Sequence, residues 1–164
     1  MKTVTCSNCG ADTRIFRDRY NLVDMGIPAV VTDMEIAECN RCGNEDPIIA
    51  HLDELMRTVV VAVVCSPSPL RGTDVRFLRK YIGMTAEEFA RLLNVDKTTV
   101  SKWENDRDPV GNQSDRLIRL IVIGLGDGLE AKLKAVVGNL PKIGTSSPRM
   151  NIEVDLEKMS FQYA

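Results

Sequence analysis

The residues best suited to chemistry are cysteines in two matched knuckles, Cys6-Ser-Asn-Cys9-Gly10 and Cys39-Asn-Arg-Cys42-Gly43. A gap of two residues lets both sulfurs of one turn reach a single ion. The glycine that follows permits the left-handed backbone that aims amide N–H groups at those sulfurs. Two such knuckles complete a tetrahedral set of four thiolates, with no position left for water, so the site they predict is structural rather than catalytic. Four sulfurs suit one Zn²⁺ held by Cys6, Cys9, Cys39 and Cys42; the alternative is a rubredoxin-like iron centre that carries electrons. A segment of about 45 residues cannot bury enough apolar surface alone. Metal binding, an apparent ~10–16 kcal/mol in zinc-finger peptides, would supply what is missing. The fifth cysteine, Cys65, stands apart and reads as a small apolar residue.

The second constellation is a polar helix face. Lys97, Thr98, Ser101, Lys102 and Asn105 recur on the side opposite Val100 and Trp103. Lysine at such a position can donate to guanine O6 and N7, and Thr98 or Thr99 can meet a phosphate or a thymine methyl. Arg107, with Arg76, Lys80 and Arg116, is a candidate phosphate contact on charge alone.

These groups need elements to hold them. Residues 27–38 alternate as a half-buried strand and form a hairpin with Arg17–Val23. Asp46-Pro47 reads as an N-cap and first helical residue, opening a helix over Ile48–Val64. Its valine-rich end is equally compatible with a strand. Ser66-Pro-Ser-Pro69 is a break with the composition of a linker. Thr73 caps a helix over Asp74–Ile82, Thr85-Ala-Glu-Glu88 is a capping box for a second through Leu93, and Asp96 caps a third over Lys97–Asn105. Ser114–Leu125 reads as a further helix with Leu117, Leu120, Ile121 and Leu125 on an apolar face. Gly138–Pro148 reads as a loop, and Met150–Leu156 as one short strand. The expected division is 1–65 for the metal-binding unit, 66–73 for a linker, 74–126 for the helical unit and 127–164 for a C-terminal extension. The fold class is α+β: a small zinc-bound β-containing domain, an all-α lambda-repressor-like domain and a short terminal strand.

Residues 75–120 resemble an Xre/Cro-type helix-turn-helix. The likeness is carried by Arg76-Phe-Leu-Arg-Lys80, Thr85-Ala-Glu-Glu-Phe-Ala-Arg-Leu-Leu93 and Thr99-Val-Ser-Lys-Trp-Glu-Asn105. With the cysteine knuckles in front, the order is similar to MqsA-type antitoxins, in which a YgiT-type zinc finger precedes the DNA-binding domain. The resemblance implies a dimeric repressor of a palindromic operator, often its own promoter, whose zinc domain holds a ribonuclease toxin. It also implies an ion bridge between Arg79 and Glu104. Ala86 stands where many members carry a phosphate-touching glutamine. The tail after residue 120 exceeds what that family carries.

Charge is consistent with two partners. Residues 1–64 carry 6 basic and 10 acidic side chains, net −4, whereas residues 75–120 carry 9 and 7, net +2. The acidic part suits a basic protein such as a ribonuclease toxin; the other reading is a stand-alone regulator whose zinc domain is structural or sensory. His51 is the one histidine, and with a closed metal site and no phosphate-cradling loop no catalytic set is legible, so an enzyme is not expected. The longest apolar run, Val59–Cys65, is far short of the roughly 20 residues a membrane span requires. With no signal-peptide pattern, a cytoplasmic location is expected.

Overall fold

The computed structural model describes residues 4–144 and 150–164. Five strands form one sheet: β1 (Thr13–Asn21), β2 (Val30–Cys39), β3 (Glu45–Ile48), β4 (Ile152–Asp155) and β5 (Ser160–Tyr163). Strand β2 is central. Antiparallel β1 covers one of its edges, and the other edge is shared by β4, parallel along Val30–Thr32, and antiparallel β3 along Glu35–Glu38.

Simple alternation over β2 is interrupted once. Asp18 faces Met34 but Tyr20 faces Val31, so Thr32 and Asp33 together oppose one residue of β1. Asp33 takes φ +59°, the left-handed geometry of a β-bulge, and its carboxylate accepts Arg17 Nη1 at 2.7 Å. The extra residue resets the phase, so that Val31, Met34 and Ile36 are all buried.

Residues 46–48 correct the sequence expectation. Asp46-Pro47 belongs to β3, and the helix that follows, α1, begins only at Leu52 and runs to Cys65. Proline is tolerated in β3 because that strand lies at a sheet edge. The valine-rich stretch is helical: Leu55, Val59, Val60, Ala62, Val63 and Val64 are buried in a core shared with the sheet. His51, expected on a helix face, is the exposed N-cap of α1.

The helical unit comprises α2 (Gly72–Tyr81), α3 (Ala86–Leu92), α4 (Lys97–Glu104) and α5 (Asn112–Leu125), followed by α6 (Leu133–Asn139). Helix α2 starts one turn boundary earlier than Thr73 capping would place it. Arg71 occupies the N-cap, and its backbone N–H donates to Asp74 at 2.8 Å. The Thr85 capping box is present, with Glu88 N–H on the Thr85 hydroxyl and Thr85 N–H on the Glu88 carboxylate. The Thr85 hydroxyl, donating to the Glu88 carboxylate at 2.7 Å, and then the Thr85 amide hold the Glu88 carboxyl below its ordinary range.

Residues 66–71 break the chain between helices as expected, but they are packed rather than solvated, with Ser66, Ser68 and Leu70 buried. Gly138 and Asn139 end α6, Leu140–Lys142 form a 3₁₀ turn, and residues 145–148 of the expected loop lie outside the described residues. The single terminal strand is corrected to a hairpin: β4 pairs antiparallel with β5. The whole is α+β, with N-terminal strands carrying a cysteine cluster, then a helix-turn-helix, then C-terminal strands.

Candidate metal centre and nucleic-acid interface

The two knuckles fold alike. Gly10 N–H donates to Cys6 O at 3.0 Å and Gly43 N–H to Cys39 O at 3.1 Å. Each turn is then closed from outside, by Cys6 N–H to Ala11 O and Cys39 N–H to Asn44 O, both 2.9 Å. Gly10 and Gly43 take φ +69° and +68°, where any other residue type would be strained. The four sulfurs lie within 4.8 Å of one another, with Cys6–Cys42 at 3.7 Å and Cys9–Cys39 at 3.5 Å. A tetrahedral ion with metal–sulfur bonds of about 2.3 Å needs sulfurs about 3.8 Å apart. Those two pairs are within a few tenths of an ångström of that spacing, and the four-sulfur donor set suits a tetrahedral metal.

Amides surround the sulfurs as well. Asn8 N–H points at Cys6 Sγ (3.4 Å), and Arg41 and Cys42 N–H at Cys39 Sγ (3.4 and 3.5 Å). The Cys42 and Arg41 amides pull the Cys39 thiol down to about 6, which favours its thiolate. One member of the site was not legible in sequence. The Asp46 carboxylate accepts Ser7 Oγ at 2.8 Å, Ser7 N–H at 3.1 Å and Asn44 Nδ2 at 2.9 Å, tying the first knuckle to the second. The Ser7 hydroxyl and amide, then Asn44, keep Asp46 below the usual carboxylate range. Cys65 lies away from the cluster, half-buried against the core.

The helix-turn-helix is built on apolar contacts. Val75 and Leu78 of α2, Phe89 and Ala90 of α3, and Val100 and Trp103 of α4 are buried together. All three helices stop in left-handed residues, Gly83, Asn94 and Asp106. After each, an N–H reaches back to a carbonyl five residues earlier: Met84 to Arg79, Val95 to Ala90 and Arg107 to Lys102. The Arg79–Glu104 bridge is present and bidentate at 2.6 and 3.0 Å, with side chains 12 and 7 % exposed. Arg76 adds bonds to Glu104 O and Asn105 Oδ1.

Close approach of α2 and α4 depends on one glycine. A Cβ on Gly72 would lie 2.4 Å from the Trp103 carbonyl oxygen and 2.9 Å from that of Glu104. Gly72 N–H also donates to Asp106 Oδ1 at 2.8 Å. Gly72→Ala is expected to push α4 off α2 at a cost of about 1–3 kcal/mol. Melting followed by the fluorescence of Trp103, the sole tryptophan, measures it; an unchanged midpoint would mean the helices separate freely.

On the outward side of α4, Lys97, Thr98, Ser101 and Lys102 are exposed and Thr99 half-buried. Lys97, Thr98 and Thr99 make no side-chain hydrogen bond or ion pair among the described residues. Lys102 pairs with Asp108 at 3.3 Å. Asn105 is exposed yet engaged at both ends, donating to Ser101 O at 2.7 Å and accepting from Arg76. Arg107 is exposed beyond the helix end.

A family model described as helix-turn-helix matches residues 75–113. The matched residues run from α2 into the start of α5 and contain the helix-turn-helix seen in the structure. No curated protein and no solved structure matches the chain. No helix among the described residues is long and apolar enough to cross a membrane.

Proposed function

We propose that this protein is a sequence-specific DNA-binding regulator, an autorepressor of its own promoter, with one structural Zn²⁺ in its four-cysteine site. The observation that carries the reading is the outward face of α4, where Lys97, Thr98 and Ser101 stand exposed above buried Val100 and Trp103. A recognition helix needs its polar side chains offered to base edges by a fixed hydrophobic underside. Thr99, Lys102, Asn105 and Arg107 complete the proposed DNA-contacting set, Asn105 only if it gives up its internal bonds.

A palindromic operator calls for two copies. Helix α5 offers a face for this: Leu117 and Leu125 are 42 and 53 % exposed, and Ile121 between them is half-buried. A homodimer covering that stripe would set two α4 helices at half-sites about 34–36 Å apart. The division of labour proposed for the chain is metal holding by 1–65, DNA reading by 74–126 and bracing by 127–164.

The acidic balance of residues 1–64 supports a further partner of opposite charge, a basic ribonuclease toxin. Co-expression with the product of the adjacent gene, followed by gel filtration, tests this; two separate peaks leave a stand-alone regulator. Metal analysis of the purified protein separates zinc from iron, and a red sample would favour the electron carrier.

Lys97→Ala with Lys102→Ala is expected to abolish binding to a fragment of the protein's own promoter and to leave the Trp103-monitored melt unchanged. Full binding by the double variant would assign recognition to another element.

A further inference from the structure

The carbonyls of a helix's last turn have no intrahelical donors and must find others. In α1 these belong to Ala62, Val63, Val64 and Cys65. Each receives a side chain from a distant part of the chain. Tyr163 Oη on β5 donates to Ala62 O at 2.8 Å. Arg119 Nη1 on α5 donates to Val63 O and Val64 O at 3.2 and 3.1 Å. Asn139 Nδ2, at the end of α6, donates to Cys65 O at 3.5 Å.

The end of α1 is thus a socket that joins the terminal hairpin, the helix-turn-helix and α6. From Arg119 the connection continues by packing: α5 lies on α2, and α2 is fastened to α4 through Arg79, Arg76 and Glu104. At its other end the hairpin meets β2 at three register positions, Val30–Glu153, Val31–Val154 and Thr32–Asp155, where Thr32 Oγ1 donates to Val154 O at 3.2 Å and Arg19 pairs with Glu153.

We propose that the β4–β5 hairpin is a latch for the helix-turn-helix. Seating of the hairpin on β2 and on the last turn of α1 is linked to the packing of α4. An event that lifts the hairpin, such as another strand taking the place of β4 on β2, loosens the recognition helix without touching it. The functional meaning rests on α4 being the DNA-reading helix, whereas the linkage itself can be measured with no DNA present.

The test is amide hydrogen exchange on the full-length, metal-loaded protein. Tyr163→Phe removes one hydroxyl and keeps the ring. It is expected to quicken exchange about five-fold in the hairpin and equally in α4, the effect of one hydrogen bond spread over a shared opening. Thr58→Ala removes a bond of the same kind at the middle of α1, to Glu54 O, and should leave α4 at the wild-type rate. In the wild-type protein, hairpin and α4 amides should converge on one denaturant-dependent opening. The latch is overturned if α4 exchange is unmoved by Tyr163→Phe, if Thr58→Ala quickens α4 as much, or if hairpin and α4 open with separate denaturant dependences. Failure of the protein to bind any DNA fragment would remove the regulator reading and leave these rates as they are.

Discussion

Cys39→Ser is expected to abolish tight metal uptake and to open the knuckle end of the sheet. Cys39 is a thiol held down to about 6, by the Cys42 and then the Arg41 amide, which favours the thiolate that binds metal near neutral pH. Apparent metal contributions of ~10–16 kcal/mol in zinc-finger peptides match or exceed the ~5–15 kcal/mol net stability of an ordinary domain. Apart from the hydrogen bonds that join Ser7 and Asn44 to Asp46 and Asn40 to Asp12, little holds residues 4–12 and 39–46 together: of the residues there only Cys6 and Cys39 are buried. Deeper in the sheet Val31, Met34 and Ile36 remain packed in the common core. Opening is therefore expected to stop along β2 near the bulge at Asp33. Cobalt titration reads the uptake, as thiolate-to-metal absorption that the variant should lack. Amide exchange reads the opening: fast from Cys39 to Ile48, slow at Val31. Slow exchange at Cys39–Ile48 in a metal-free variant would show that the knuckles stand without an ion.

Arg119→Met is the second large effect. The guanidinium is 0 % exposed and bonds to Asp115, Val63 O, Val64 O, Ser66 O and Ser68 O. Removing it leaves a buried carboxylate that still accepts the Leu70 N–H at 2.7 Å but has lost its counter-charge. Breaking one side of a buried pair costs about 3–5 kcal/mol. For a chain of this size that is a fall of roughly 6–20 °C in melting temperature. Asp115→Leu added to Arg119→Met should recover part of the loss, because the uncompensated charge goes with it. Recovery stays incomplete, since the carbonyls of Val64, Ser66 and Ser68 lose the donor that Arg119 gave them. A double variant as stable as the wild type would mean that those carbonyls find water.

What the sequence disclosed followed from local rules. Both knuckles, the Thr85 capping box and the inward spacing of Val100 and Trp103 depend on contacts within a few residues. Asp46-Pro47 was misread because an acid before proline has the form of a helix start. The carboxylate's actual partners, Ser7 and Asn44, include one 39 positions away. Strand β5 was not expected because Ser160–Tyr163, although it alternates polar and aromatic residues, is only four residues long. Arg119 carried a signal that could have been used: it lies four residues after Asp115, on the face of α5 that also holds Ile118 and Val122. A charged i,i+4 pair on a buried face requires partners from elsewhere.

The parallel union of β2 with β4 also bears on how the molecule is made. Thr32 and the carbonyl of Val154 that it reaches are 122 positions apart. At about 5–20 residues per second of synthesis, the ribosome finishes one partner about 6–24 s after the other. For that interval the Val30–Thr32 stretch of β2 has one bare margin, and a nascent chain must keep neighbouring chains from annealing to it. Maturation of this edge of β2 thus waits on a segment translated 122 positions later, and a message truncated before β4 would yield a polypeptide carrying both knuckles and helices α2 to α5 with an unsealed sheet.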